Sequence, residues 1–411
     1  MASRSLSPGG YQVTPSQPLA GIRVLELGNY IAAPTAGRML ADFGAEVIKV
    51  ERPDTGDELR GWRLYAGETS MLFRTINRNK RSVEIDLRTE AGQRTIQRLI
   101  PHCDVLLENF RPGTLDRWGL DAKTLDALNP RLVIARISAF GQTGPMSGQP
   151  GFAAVAEAMG GMRALIGEPD RPPARTGVSI GDTIAGLYAA FGTIMALYER
   201  ETSPSPPPIA RRTIDVALNE SVLSVMESLI PDFSAYGVRR ERVGGRIEGI
   251  APSNAYPCAD GRDVVIAGNS DAIFQRLMAV IARADLAADT ELATNAGRWR
   301  RRDELDVAIG EWTAQHSRDF VLEKLNADSI PAGAIYTAED LCDDEQLRSR
   351  NMIQKHRVDI AGHIEDVYFP GIVPVIGERS GPIRSLGPDL GEGTREILER
   401  FADTLPGEAH V

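Results

Sequence analysis

The sequence predicts an α/β protein in two domains, a large one built on a parallel sheet and a smaller α+β unit. Three observations predict it. At 411 residues the chain is too long for one ordinary core, since single cores stop growing at about 250–300 residues. Residues 22–51 run strand, turn, helix, strand, the order of a right-handed parallel crossover. From about Asp260 the pattern changes to short strands among helices, as far as about Ala327.

Composition limits the function. A hydrophobic content of 42% with 25% charged residues belongs to a soluble globular chain. The formal charge of -10 and a pI near 5.2 argue against a nucleic-acid partner or an anionic membrane surface. Cys103, Cys258 and Cys342 are odd in number and far apart, so neither a disulfide framework nor a metal-ligand spacing is expected. Reduced thiols in a cytoplasm are. The five histidines, His102, His316, His356, His363 and His410, form no HExxH-like pair, and no metal site is expected. No run reaches the ~18 apolar residues of a membrane span, and the first segment lacks an apolar signal core. It reads as a loose arm.

Taken in order, the apolar run at 22–27 is a first strand, followed by a turn at Gly28, Asn29 and Tyr30, a helix to Phe43 and a second strand at 46–51. Glu51, at the end of that strand, sits where a dinucleotide-binding fold keeps its ribose acceptor. Such a fold needs the GxGxxG glycines for close approach of the pyrophosphate, and Gly28 stands alone. Nicotinamide binding is therefore not expected. Arg52 follows at the carboxyl edge of the sheet, where such folds bind ligands. Residues 77–88 join a basic turn to an alternating strand that points Val83, Ile85 and Leu87 one way and Glu84, Asp86 and Arg88 the other. Its Arg and Lys residues suit phosphate groups.

Residues 90–99 carry a helical pattern. The strand from Val105 then ends in a sharp turn at Arg111-Pro112-Gly113. Asn109 and Phe110 fall at the carboxyl end of the sheet, with Arg117 soon after. An aromatic ring beside an amide and an arginine suits an adenine, although core packing is the simpler use of Phe110. Residues 131–137 give another strand, 138–145 a glycine-rich loop, 204–208 a proline-rich hinge, and 213–218 a further strand.

The stretch Gly177 to Gly186 leads into a helix whose residues 187–197 are almost all apolar, and a helix apolar all round is buried. Asp182 sits in its first turn. An N-cap or helix-dipole role is the plain reading of such an aspartate. Gly181 and Gly186 favour a second: an acid with open space beside it, able to attack an acyl group.

The motifs L-x-G-I-R-V-L-E-L, G-A-E-V-I-K-V-E-R-P, N-R-N-K-R-S-V-E-I-D-L, E-N-F-R-P-G, G-Q-T-G-P and G-D-T-I-A-G occur in that order. Together they resemble the family III CoA-transferases of the formyl-CoA transferase and carnitine CoA-transferase type, from Leu19 to about Leu398. The resemblance implies a Rossmann-like large domain built from both chain ends and a small domain from the middle. It divides the chain into an arm (1–18), a large CoA-binding domain (19–200), a linker (201–224), a small domain (225–327) and a C-terminal segment that returns to the large domain (328–411). Two such chains would interlock as a homodimer. The substrates would be a coenzyme A thioester and a carboxylic acid, with no tightly bound cofactor and no metal.

Residue by residue, the resemblance makes Asp182 the nucleophile. It gives Arg52, Ile85, Arg88, Asn109, Phe110 and Arg117 to CoA, and Ile31 with Ala32 to the loop at its thioester end. Formyl-CoA transferases carry Gln where this chain has Ile31, and a glycine-rich flap where it reads Gly249 to Tyr256, so oxalate and formate are not the expected substrates. Related α-methylacyl-CoA racemases need a His on the opposite face of the substrate. This chain has Phe152 there, which cannot accept a proton. The overall likeness is to enzymes that take succinyl-CoA and a small dicarboxylate, whose second carboxylate needs a cation; Arg175, Arg246 and Arg60 are candidates. Backbone amides of a loop in the small domain are candidates for the oxyanion site. The rival from another class is a CoA-binding protein without catalysis.

Overall fold

The computed structural model describes residues 17–401, and most of the expected N-terminal arm lies outside them. Strands β1 (Arg23–Glu26), β2 (Glu46–Glu51), β3 (Lys80–Glu84), β4 (Val105–Glu108), β5 (Val133–Ser138) and β6 (Thr213–Ala217) form one sheet in the order β3-β2-β1-β4-β5-β6. Every neighbouring pair is parallel, with Leu25 opposite both Ile48 and Leu106. Strand order reverses between β1 and β4. In a parallel sheet that reversal opens a crevice beyond the carboxyl ends, because successive connections leave in opposite directions.

Alternation along the strands builds two cores. Val24, Val47, Val105, Val133 and Ile137 face one layer of helices, while Leu25, Ile48, Val83, Leu106 and Ile134 face another that includes Ile96, Leu125 and Ile397. Val83, Ile85 and Leu87 share a face as their alternation requires, all three buried in the second core.

Helices α1 (Ala32–Asp42) and α2 (Glu90–Leu99) follow β1 and β3. At the start of α2 Thr89 Oγ1 accepts the Gly92 amide at 3.0 Å, the usual satisfaction of an orphan N–H. The long helix α3 (Ile180–Thr202) packs on α1 and on the sheet through glycines. A Cβ at Gly186 would stand 2.8 Å from the Ala32 carbonyl oxygen and 2.9 Å from Thr35 Cβ, and one at Gly192 would stand 2.8 Å from Ile214 Cγ2.

Full burial of α3 does not hold in the single chain. Leu187, Phe191, Ile194 and Tyr198 are exposed, because the sheet and α1 cover only one side. Among the described residues α3 is also the one helix long and apolar enough to cross a membrane. Packing against the sheet and α1 accounts for the apolar residues on its covered side.

The chain divides into two compact units. Among the described residues, one comprises those up to Met162, Gly177–Met226 and those from Glu345 onward; the other comprises Arg163–Thr176 and Glu227–Asp344. The stretch 201–224, expected as a linker, contains β6, whose Ile214 lies opposite Ala135. In the second unit β7 (Ser253–Pro257), β8 (Asp263–Ala267) and β9 (Ala332–Ala334) form an antiparallel sheet over Phe274, Leu277, Ile309 and Leu325. Residues 332–336, expected to rejoin the large domain, begin instead with β9: Ala334 pairs with Val264 and Ala332 with Ile266. Strands Ile353–Ile360 and His363–Pro370 form a hairpin within the first unit.

Candidate active site at the strand-order reversal

The crevice between β1 and β4 gathers most of the residues expected from the sequence to form the site. After β1 the chain turns through Gly28, Asn29 and Tyr30 into α1; after β4 it runs into Asn109 and Phe110. Two cavities meet here, with Asn29 and Phe110 lining both. One, of about 190 Å³, is lined by Tyr30, Ala32, Arg111, Phe152 and Asp182 among others. The other, of about 250 Å³, is lined by Arg52, Ile85, Arg88 and Trp118.

Seven of the nine residues singled out from the sequence therefore line this pair of cavities: Asp182, Ala32, Arg52, Ile85, Arg88, Asn109 and Phe110. Two do not. Ile31 is buried in a cluster with Leu59 and Phe73, because it is the residue on which α1 begins and its side chain turns inward. Arg117 lines neither cavity; its guanidinium donates to Thr114 Oγ1 at 2.9 Å on an exposed face.

Asp182 is the third residue of α3, and Ser179 holds the N-cap position. The capping reading is corrected accordingly, although a carboxylate in the first turn still meets the positive end of the helix. The glycines beside it serve packing. Gly181 lies against Glu157 and Val222, and Gly186 against α1.

Asn109 is not free to read a base. Its Nδ2 donates to the Asn29 carbonyl at 2.8 Å and its Oδ1 accepts the Asn29 amide at 2.9 Å. Phe110 meets Trp118 edge to face, centroids 5.0 Å apart. Arg52 pairs with Glu58. Arg88 grips Asp86 in a bidentate pair at 2.9 Å, which holds the Asp86 carboxyl down at about 2. Both arginines stay partly exposed, so an incoming phosphate competes for them with one carboxylate each.

Glu51 is closed off from any ribose. It accepts from Arg60 at 2.7 and 2.8 Å, from Ser82 Oγ at 2.6 Å and from the Asp57 amide at 3.0 Å. Glu108, behind Phe110, accepts the Phe110 amide at 2.7 Å. Burial pushes its carboxyl up to about 7, against the opposing pull of that amide and of Arg136.

Arg60 and Arg246, proposed from sequence as cations for a second carboxylate, are both taken up: Arg60 by buried Glu51, Arg246 by Asp303 at 2.9 Å and Asp306 at 2.6 Å. Arg175 lies exposed in the second unit. Sequence reasoning passed over Arg111. Among the described residues it is the one cation that lines the Asp182 cavity, and its position directly after Asn109-Phe110 was the available signal. Tyr30 and Phe152 were also missed as a pair; their rings meet edge to face at 6.1 Å beside that cavity. Among the described residues no group of three or more His, Cys, Asp or Glu side chains stands ready to hold a metal ion.

The model of CoA-transferase family III matches residues 19–394. A curated relative, succinyl-CoA--D-citramalate CoA-transferase of Chloroflexus aurantiacus, is 44% identical over 95% of each chain. The succinyl-CoA--L-malate CoA-transferase beta subunit of the same organism is 37% identical over 94% of this chain and 95% of its own. A solved CAIB/BAIF family protein from Brucella suis superposes with a TM-score of 0.81 at 34% identity, covering 94% of this chain and 99% of that one. The chain belongs to CoA-transferase family III and is a CoA-transferase.

Proposed function

We propose that the enzyme moves CoA from succinyl-CoA to a small dicarboxylate such as malate, citramalate or itaconate, with Asp182 as the group that is acylated. The observation that carries this reading is the shared wall of the two cavities. A thioester reaching Asp182 past Asn29 and Phe110 leaves the rest of its CoA toward Arg52, Ile85 and Arg88. The citramalate and malate named for the relatives support the acid class, and so does the cation Arg111 in the same cavity.

The Asp182 carboxylate attacks the donor carbonyl and the C–S bond breaks, giving a mixed anhydride and a bound thiolate. The thiolate attacks the aspartyl carbonyl, releases the donor acid as carboxylate and leaves an aspartyl-CoA thioester. The acceptor carboxylate then displaces the thiolate from the aspartyl carbonyl. A final attack by the thiolate on the acceptor carbonyl forms the new thioester and frees Asp182. Thioester energy is conserved throughout, so neither ATP nor metal is required.

α-Proton exchange, the alternative chemistry, needs a second acid–base group. Phe152 occupies that part of the cavity, and among the described residues no histidine lines it. The exposed stripe of Leu187, Phe191, Ile194 and Tyr198 on α3 supports a homodimer, interlocked as in the family, because an isolated chain would leave this apolar face in water. Dependence on CoA thioesters and the buried thiols of Cys103 and Cys258 support a cytoplasmic location.

Incubation with succinyl-CoA and a panel of mono- and dicarboxylates, followed by mass spectrometry of the thioesters, tests the reading. Transfer to dicarboxylates is expected; acceptance by monocarboxylates alone would overturn the substrate assignment. Hydroxylamine should trap a modified Asp182 after incubation with donor, whereas a non-catalytic CoA-binding protein would yield none.

A further inference from the structure

The turn at residues 28–30 borders both cavities through Asn29 and one of them through Tyr30, and four of its polar backbone atoms are held by side chains from distant strands and loops. Lys49 Nζ donates to the Gly28 carbonyl at 2.7 Å. Asn109 takes both polar groups of Asn29. The Tyr30 amide donates to both oxygens of Asp57, at 3.1 and 3.2 Å. Lys49 and Asp57 pair with one another at 2.9 Å, and both side chains are fully buried. Glu26 extends the network, accepting from Lys49 at 3.3 Å and from Lys80 at 2.8 Å, while Lys80 also donates to the Pro34 carbonyl in α1.

A buried ion pair is a weak source of stability, since desolvating two charges offsets most of their attraction. An apolar pair of similar volume would pack as well. It would leave the Gly28 carbonyl and the Tyr30 amide without partners, and those two groups fix the turn. Tyr30 also has a φ of +62°, a left-handed conformation that a residue with a Cβ keeps only where its surroundings impose it. Asp57 imposes it. The same carboxylate accepts the Leu59 amide at 2.9 Å and starts the short 3-10 helix Glu58–Gly61, which delivers Trp62 to within 5.9 Å of the Tyr30 ring.

We propose that Lys49 and Asp57 are positioning residues for the transfer reaction: their ion pair holds the 28–30 turn so that Tyr30 borders the cavity of Asp182. The proposal rests on the reading of that cavity as the thioester site. Neither residue touches substrate. Their part is to keep the wall in which acyl group and nucleophile meet from shifting, and misplacement of such a wall by about 1 Å costs on the order of a hundredfold in rate.

The test is the double variant K49M/D57N, which removes both charges together and the donor to the Gly28 carbonyl, measured beside D57N alone, which keeps Lys49 on that carbonyl and an oxygen for the Tyr30 amide. For K49M/D57N the expected results are a melting temperature near that of the parent, amide exchange at residues 29–31 accelerated roughly tenfold or more, and kcat for CoA transfer reduced on the order of ten- to a hundredfold. The KM for acyl-CoA should change less than about threefold, since Arg52 and Arg88 are untouched. D57N should recover most of kcat. A folded variant in which exchange at 29–31 is unaltered, or in which exchange rises while kcat stays at the parent value, overturns the proposal. Should the double variant fail to fold, K49M alone, which takes the donor from the Gly28 carbonyl, decides by the same two readouts. Should the parent protein transfer no CoA, the thioester reading fails, and hydrogen exchange still reports whether the pair orders the turn.

Discussion

Asn109 clasps Asn29 through both ends of its amide, donating to the carbonyl at 2.8 Å and accepting the amide proton at 2.9 Å. The two residues stand just beyond β1 and β4, where strand order reverses, so one side chain fastens the two edges of the crevice. Truncation in Asn109→Ala leaves two backbone groups of residue 29 without partners, at about 1–3 kcal/mol for each buried group. The expected outcome is a lower denaturant midpoint together with weaker CoA binding, read by urea titration and calorimetry. A variant that lost stability while CoA affinity held would show the clasp to be architectural alone.

Asp182→Asn should abolish transfer, by a factor of about a thousand or more in kcat, as loss of a covalent nucleophile does. CoA affinity should stay within about threefold, since Arg52, Ile85 and Arg88 line the other cavity. Loss of a first-turn carboxylate costs only about 0.3–1 kcal/mol, so a folded, CoA-binding and inactive protein is expected. Calorimetry and a transfer assay on the same preparation check it.

Arg111→Gln should raise the KM of a dicarboxylate acceptor on the order of ten- to a hundredfold, the equivalent of a charge-assisted hydrogen bond worth ~1.5–3 kcal/mol. The KM of a monocarboxylate of similar length should hardly move. Initial rates with paired mono- and dicarboxylic acids separate this from loss of CoA binding, which would slow both acids alike.

Glu108 gives stability a pH dependence of known sign. Its carboxyl is raised from 4.5 to about 7, so between those values the folded chain keeps a proton that the unfolded chain releases. The contribution is complete below about 4.5 and is lost as pH rises through 7. Glu108→Gln, neutral throughout and still able to accept the Phe110 amide, should flatten the slope across this window. At pH 8 it should exceed the parent in stability by up to ~3 kcal/mol, since each tenfold change in proton affinity is worth about 1.4 kcal/mol. Urea unfolding at pH 5, 6, 7 and 8 measures it.

Phe191→Glu places a charge in the exposed apolar stripe of α3. If a second copy covers that stripe, sedimentation should show a smaller species than the parent at equal concentration. An unchanged sedimentation coefficient for a folded variant would remove α3 from the subunit interface.

The sheet was legible because β1, β2, β4 and β5 are runs of Val, Leu and Ile at strand length between turn residues, and α2 because residues 90–99 carry a helical pattern. The position of Asp182 was legible as well, at the head of a long apolar helix. What failed to show was partnership across the chain. Asn109 and Asn29 lie 80 positions apart, so nothing local tells that the amide serves the backbone instead of a base. Arg60 and Arg246 look like spare cations until Glu51, Asp303 and Asp306 close on them. The inward turn of Ile31 toward Leu59 and Phe73 follows from the left-handed Tyr30 before it, and a single residue type does not disclose its φ.

Gly186 lies where α3 meets α1, with no space for even a methyl group against the Ala32 carbonyl. Ala32 and Asp182, which both border the same cavity, thus belong to two rods welded one turn past that aspartate. Widening the chamber for a bulkier acid cannot come from sliding one rod along the other. It has to come from trimming what projects inward, at Tyr30, Arg111 or Phe152, so that a change of diet in this lineage would be written in those three letters while the frame stayed put.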